Sequence, residues 1–336
     1  MAVSIHGRND GRDADPLAAP PAADISPYPQ SWYFVCAAGE LARGAVREFR
    51  IFGRQVAVFR RVDGALGALD ARCPHFGARL ASGAVAGDAL VCPLHRFRFT
   101  RDGRCAQHDL RARSYAIAER YGALFAFPDA QPLFPLPTFD GDPELVSAPP
   151  QRLHLETQWY MVTANAFDGR HLEFAHDRHA SEPPRVSAPH PYALRVAYEY
   201  EIRGGGWVDR VVRWVSGPRV QFDVTSWAGN FLLVRARFQR DETLGLLLIA
   251  PSGDAAQRLD LTLIVSTRRR GPRLLDRLRA RAKRFAIANM LRGDTIGLHG
   301  LDYLHTGLRP GDEAVARFLR WAASLPAVEP QGEEHK

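Results

Sequence analysis

The sequence predicts an α+β protein in two parts: a small all-β domain, then a larger one with a curved antiparallel sheet followed by two C-terminal helices. Three observations carry that prediction. From Ser31 to Pro128 the chain breaks into short strand-like runs separated by glycine-bearing turns. Further on, Leu194, Val196, Tyr198, Tyr200 and Ile202 alternate with Arg195, Glu199, Glu201 and Arg203, which makes one face apolar and the other polar. Helical patterns then fill residues 272–305 and 312–324. A chain of 336 residues is long enough for two separate cores.

Residues 1–29 are rich in proline, alanine and aspartate and lack the apolar core of a secretory signal, so a disordered tail is expected. The all-β domain is placed at 30–130. Its runs are SWYFVCA, REFRIFGRQVAVFRR and GALGALDA, then a hairpin in FRFTRDGRC that turns at Asp102-Gly103, and RYGALFAFP to close. The prolines of 131–150 mark a linker. The second domain is placed at 151–325, with a strand near Leu153–Glu156 and a helix over 161–175. Gly204-Gly205-Gly206 is expected to turn a hairpin into strands at about 207–216, 219–227, 230–239, 244–250 and 257–267. The helix over 272–305 is expected to break near Gly293, and 326–336 to form a tail.

Composition sets limits on function. Apolar residues make up 46% and charged residues 24%, ordinary for a globular chain. The longest conspicuous apolar run, Leu244–Ala250, suits a buried strand and is too short for a membrane span. These features predict a cytoplasmic protein with no membrane span. The net charge of +7 is mostly dispersed, which argues against nucleic acid. The exception is Arg268–Arg292. There Leu274, Leu275, Leu278, Phe285 and Ile287 are expected to form a packing stripe, with the arginines as a solvated face or a docking patch for an acidic electron donor. Of four cysteines, Cys36 and Cys105 lie in strand-like contexts and are expected to be buried free thiols rather than a disulfide.

Chemistry concentrates in two places. The first is Cys73-Pro-His75 and, further on, Cys92-Pro-Leu-His95. Two thiolates and two imidazoles are the ligand set of a Rieske cluster, in which the thiolates hold one iron of a 2Fe-2S unit and the imidazoles the other. Cys2His2 also suits tetrahedral zinc, but zinc fingers usually bring a cysteine pair from one loop and a histidine pair from the other. Here each loop mixes the two. The second is Asn165-Ala-Phe-Asp168-Gly-Arg-His171-Leu-Glu-Phe-Ala-His176. On a regular helix the two histidines lie about 140° apart, so one metal can take both only if the helix widens or ends between them.

The run CPHFGARLASGAVAGDALVCPLHRFRFTRDGRC resembles the Rieske domain of the bacterial non-heme iron oxygenases, over roughly Trp32–Pro128. Respiratory Rieske proteins carry an extra cysteine in each loop, whereas this chain has Gly77, Ala78 and Leu94 there. The second motif, N-x2-D-x2-H-x4-H, resembles the mononuclear-iron motif of the same family. The resemblance implies an N-terminal all-β Rieske domain and a helix-grip catalytic domain. It implies Fe(II) ligands at His171, His176 and a carboxylate on the C-terminal helix, best matched by Asp294, with Asp302 as the fallback. Asp168 would bridge the two metal centres across a head-to-tail homotrimer, and Asn165 would support it. His179, His299 and His305 face the pocket or are surface residues. Trp207, Trp214, Phe222, Trp227 and Phe231 line the pocket or are core.

The implied function is that of a Rieske oxygenase component, similar to the single-component branch that includes aminopyrrolnitrin oxygenase and the chlorophyll-catabolic oxygenases. It would use O2 to hydroxylate, demethylate or N-oxygenate a small aromatic or secondary-metabolite substrate. Electrons would come from a separate NAD(P)H-dependent reductase, a ferredoxin or both, since the chain carries no dinucleotide fingerprint. The alternatives are a Rieske electron-transfer protein and a non-catalytic helix-grip ligand carrier.

Overall fold

Nine short strands build the N-terminal part of the computed structural model, which describes residues 15–139, 144–176, 178–180, 182–252 and 255–329. They are β1 (Tyr33–Ala37), β2 (Val46–Ile51), β3 (Arg54–Arg60), β4 (Leu66–Asp70), β5 (Ala84–Ala86), β6 (Ala89–Val91), β7 (Arg98–Thr100), β8 (Ala116–Arg120) and β9 (Ala123–Phe127). Three antiparallel sheets result, in the orders β1-β9-β8, β2-β3-β4 and β5-β6-β7. Phe52 and Gly53 turn β2 into β3 with φ of 41° and 75°, as a tight hairpin requires. The expected turn at Asp102-Gly103 is present. Gly103 has φ +84°, and a Cβ there would sit 1.9 Å from Ala112 O, so no larger residue fits.

The second part holds β10 (Leu145–Ser147), β11 (Gln151–Glu156), α1 (Trp159–Asn165), α2 (Gly169–His176), β12 (Arg178–Ala180), β13 (Arg185–His190), β14 (Ala193–Ile202) and α3 (Trp207–Ser216). Then follow β15 (Arg219–Trp227), β16 (Phe231–Phe238), β17 (Glu242–Ser252), β18 (Ala255–Arg268), α4 (Arg273–Leu298) and α5 (Glu313–Ala323). The strands form one nine-stranded antiparallel sheet in the order β10-β18-β17-β16-β15-β14-β12, with β11 also on β18 and β13 also on β14. Helix α4 lies against it where Leu263, Val265 and Ala288 pack together. At the other end, Trp159, Phe167, Phe318 and Leu319 join α1, α5 and the sheet in one core, with the Phe167 and Phe318 rings stacked 4.9 Å apart. The two parts share a core as well: Phe125 and Phe127 of β9 pack with Phe231, Leu244, Leu246 and Leu248.

Several expectations fail, each for a local reason. Residues 207–216 are helix α3, not a strand, and the three glycines lead into it rather than turn a hairpin. Gly206 caps the helix, Asp209 lies in its first turn, and Gly217, with φ +94°, stops it. The helix expected over 161–175 is two helices, parted at Ala166–Asp168 where Tyr198 Oη donates to Ala166 O. Helix α4 runs unbroken through Gly293 and ends at Leu298. Its stripe Leu274, Leu275, Leu278 and Phe285 is exposed, because buried Ala280 and Ala288 set the side that meets the sheet.

The terminal and linker segments are also more ordered than expected wherever they are described. Ile25 is buried, Trp159 Nε1 donates to Ser26 O at 2.8 Å, and Tyr303 Oη donates to Pro20 O at 2.8 Å. Val328 N donates to Tyr28 O, and Ala327 pairs with Pro29. In the 131–150 segment Phe134 and Phe139 are buried and β10 joins the sheet. Residues 1–14, 140–143 and 330–336 lie outside the described residues. Cys36 and Cys105 are free thiols; Cys36 is buried, which pushes its thiol up to about 11, while Cys105 is only half-buried. No described helix is long and apolar enough to cross a membrane.

Because Phe318 is fully buried and stacks on the ring that ends α1, Phe318→Ala is expected to destabilise the fold by about 3–5 kcal/mol. The check is the urea midpoint followed by tryptophan fluorescence; an unchanged midpoint would remove this core from the account.

Candidate active site

The two cluster loops are built alike. Cys73 N donates to Ala78 O at 2.9 Å and Gly77 N to Cys73 O at 2.9 Å; Cys92 N donates to Phe97 O at 2.8 Å and Arg96 N to Cys92 O at 3.2 Å. The fourth residue after each cysteine has a positive φ, +71° at Gly77 and +61° at Arg96. Each loop therefore folds around its own cysteine. Both thiols are buried among Phe59, Leu69, Leu80 and Phe99, and burial, reinforced by Cys92, pushes the Cys73 thiol up. The imidazoles stand outside. His75 Nδ1 and His95 Nδ1 face one another at 3.1 Å, with Phe76 stacked on His75 at 4.1 Å.

That arrangement fits a [2Fe-2S] cluster of the mixed type. The thiols occupy the dry side and the imidazoles the solvent side, and the two ring nitrogens converge on one place. These are the four residues the sequence singled out. The sequence did not reveal the positive φ of Arg96, because arginine carries no signal for that conformation.

Helices α2 and α4 assemble a second group. His171 Nε2 lies 2.9 Å and His176 Nε2 2.7 Å from the same atom, Asp294 Oδ1, and the three ligand atoms fall within 4.8 Å of one another. Contrary to expectation, α2 neither widens nor ends between the histidines; both lie within the regular helix, His176 as its last residue, and both imidazoles still reach Asp294 Oδ1. Burial tends to raise the Asp294 carboxyl, but the two imidazoles hold it below the ordinary carboxylate range. The same contact raises His171. Two imidazoles and one carboxylate converging from one side are the donor set of a facial metal site, and the half-buried setting suits Fe(II).

Around this group the expected residues separate. Asp168 Oδ1 accepts from Arg170 N at 2.9 Å and His171 N at 3.1 Å, fixing the start of α2 and with it the His171 backbone. Asn165 lines the cavity beside the histidines. Asp302 is exposed and lies outside the group. His299 faces Glu156 at 3.6 Å, His179 faces Glu173 at 3.5 Å, and His305 is exposed.

The cavity holds about 470 Å³ and runs from His171, His176 and Asp294 between the sheet and α4. Of the five aromatics considered, Phe222 lines it. Trp207 and Trp214 project from α3 into solvent, at 65% and 80% exposure, because that segment is a helix. Trp227 and Phe231 pack at the junction of the two parts. Most of the wall is aliphatic instead, from the inner face of the sheet and one side of α4. The sequence showed the period-2 faces of the strands but not which of them stays uncovered.

Comparison with known proteins agrees with this geometry. Residues 31–128 match the Rieske [2Fe-2S] domain model. The oxygenase component of chloroacetanilide N-alkylformylase from Rhizorhabdus wittichii is 29% identical over 214 residues, 60% of this chain and 58% of that protein. Cholesterol 7-desaturase nvd from Bombyx mori is 35% identical over 128 residues, 35% of this chain and 28% of that one. The matched part of the chain thus spans less than two thirds of either relative. Dicamba monooxygenase, solved with non-heme iron and dicamba, superposes with a TM-score of 0.59 at 18% identity, covering 87% of this chain and 95% of that one. An NdmA variant of Pseudomonas putida CBB5, solved with caffeine, reaches 0.62 at 17% identity, covering 87% and 89%. At such identities the likeness is one of fold. Residues 31–128 are therefore a Rieske [2Fe-2S] domain, joined to an α+β part with which the chain takes up the fold of these solved structures.

Proposed function

We propose that this chain is the oxygenase component of a Rieske non-heme iron oxygenase system, oxidising a small molecule with O2 and electrons from a separate reductase or ferredoxin. One observation carries the reading: a single chain brings together Cys73, His75, Cys92 and His95 in one place and His171, His176 and Asp294 in another. A pure electron carrier has no use for the second group. A ligand carrier has no use for the first.

In this reading Cys73, Cys92, His75 and His95 hold the cluster, and His171, His176 and Asp294 hold Fe(II). When bound, the cluster supplies single electrons and the iron supplies the activation of oxygen. The protein's part is placement. Asp294 stays ionised and each imidazole offers its Nε2 on one side, which leaves the cavity side open to substrate. Asp168 holds the His171 backbone, and a carboxylate there would also face a cluster histidine of a neighbouring copy in a homotrimer. Such a trimer would suit the exposed His75 and His95. The aliphatic lining keeps water from the reacting end. Exposed arginines on α4, among them Arg277 and Arg281, would favour an acidic electron donor. Residues 30–130 and 151–325 are the two working domains, joined by 131–150. The named activities of the relatives, on a chloroacetanilide and on cholesterol, leave the substrate of this chain to its own cavity.

Three outcomes test this. The reconstituted protein should carry about three irons per chain, and His171→Ala about two, with the visible cluster spectrum kept and product formation lost. Full turnover by His171→Ala would end the assignment. Asp294→Asn should weaken Fe(II) binding roughly 10–100-fold or more by equilibrium dialysis while the cluster spectrum stays unchanged. Asp168→Asn preserves the cap on α2, so its melting temperature should hold, whereas single-turnover transfer from the reduced cluster should slow by about tenfold or more.

A further inference from the structure

Helix α3 has two unlike sides. On a regular helix Asp209, Val212 and Ser216 share one of them, and all three line the cavity. Trp207, Val211, Trp214 and Val215 share the opposite side, where they are 49–80% exposed. A helix that meets only water carries polar residues on that side. Arg210 is exposed beside this apolar row, and Arg213 Nη1 turns back to donate to Gly204 O.

A second apolar row begins close by. Arg240, in the turn between β16 and β17, donates from its backbone N to Ser216 O at 3.2 Å and from Nη1 to Trp214 O at 2.8 Å. Its neighbour Asp241 holds Lys283 at 2.6 Å and Arg270 at 3.4 Å. The end of α3 and the first half of α4 therefore meet at one corner of the domain. There Leu274, Leu275 and Leu278 are 50–67% exposed. Arg240, Arg270, Arg273 and Arg277 are exposed around them. The acids of this corner are already engaged. Asp209 is held by Arg178, Asp241 by Lys283, and Glu144 by Arg269 and Arg273. Asp276 is fully buried and accepts from the Arg270 and Gly271 amides.

Whatever covers this corner must take up large apolar side chains and supply negative charge together. A second copy of the same corner would set arginines against arginines. An acidic electron donor answers the arginines alone. An anionic bilayer answers both, since indole rings settle at the headgroup level and arginines meet the lipid phosphates.

We propose that α3 and the first two turns of α4 form a peripheral docking face for an anionic lipid bilayer. Trp207, Val211, Trp214 and Val215, with Leu274 and Leu278, enter its apolar boundary, while Arg210, Arg240, Arg273 and Arg277 meet the phosphates. Helix α3 has ten residues, about 15 Å, so it lies in the surface of the bilayer and does not cross it. Because α3 is also a wall of the cavity, docking sets that wall against the lipid. The docking uses no residue of either candidate metal centre and holds whether or not the oxygenase reading does.

Vesicle co-sedimentation of the full chain, with its cluster in place, tests this without turnover. Vesicles of phosphatidylcholine mixed with phosphatidylglycerol should bind the protein at least about tenfold more tightly than phosphatidylcholine alone, and high salt should remove that preference. Brominated phosphatidylcholine in the mixed vesicles should quench the tryptophan fluorescence. The double variant Trp207→Ser, Trp214→Ser should lose the quenching and bind about tenfold or more weakly, with its melting temperature and cluster spectrum unchanged. The double variant Arg210→Glu, Arg277→Glu should also bind about tenfold more weakly. Failure of the wild-type chain to bind the mixed vesicles overturns the proposal. So does binding that the arginine pair controls and the tryptophan pair does not, which marks a charge patch for an acidic protein. A smaller oligomer for the tryptophan variant in vesicle-free sedimentation overturns it as well, because a second copy then covers the face.

Discussion

Asp294 Oδ1 receives His171 Nε2 from one side and His176 Nε2 from the other, and much of the second domain exists to make that meeting possible. The carboxylate comes from near the end of a 26-residue helix and the imidazoles from an eight-residue one, more than a hundred residues earlier in the chain. Bringing them together requires that α2 be fixed in direction and that α4 be straight. Tyr198 secures the first by bonding Ala166 O at the break between α1 and α2, and Asp168 secures it again by capping α2. The sheet secures the second, since α4 is laid on it through Ala280 and Ala288, whose small side chains allow close approach. A break at Gly293 would have set Asp294 loose from this frame. Continuity of the helix is what makes the carboxylate's position predictable from the sheet.

The cluster loops solve a different problem. Their ligands come from two short hairpins with little core of their own, so each loop closes on its cysteine through two backbone hydrogen bonds. The thiols are thereby buried with Phe59 and Phe99 while the histidines stay at the surface. Electrons must enter and leave, and exposed imidazoles are a short path for them, whereas a buried pair would isolate the centre. Stability and access are divided between the two residue types. The packing of Phe125 and Phe127 against Phe231 and Leu246 then ties this unit to the larger sheet, so the two candidate centres belong to one packed body.

What the residues disclosed on their own follows a physical line. The candidate ligands stood out because Cys and His at such spacing have few other reasons to recur, and one hairpin was legible because Asp102-Gly103 favours a tight turn, whereas the turn at Phe52-Gly53 was not singled out. Strands with one wet face, such as β14, were legible from their alternation. Segment 207–216 was not, because Trp and Val favour strands while the deciding features are a glycine before it and a left-handed glycine after it. Nor was the outward apolar side of α4: Leu274, Leu278 and Phe285 look like a core stripe, and the two alanines that seat the helix look like nothing. Tails and linker were read as loose because composition ignores single anchors such as Ile25, Phe134 and Val328.

The same helix that carries Asp294 also forms the long wall of the cavity, and this coupling has a consequence for specificity. Residues 283 to 294 of α4 are one continuous stretch of helix, with the candidate metal ligand Asp294 at one end and the Lys283–Asp241 pair at the other. A molecule that lies along α4 therefore has its distance from the metal group fixed by where its far end stops, not by contacts at the reacting atom. Changes at the Lys283 end would shift which atom is presented to His171 and His176 without altering either residue. On the oxygenase reading proposed above, the end of the channel remote from Asp294 is the economical place for substrate choice to be written.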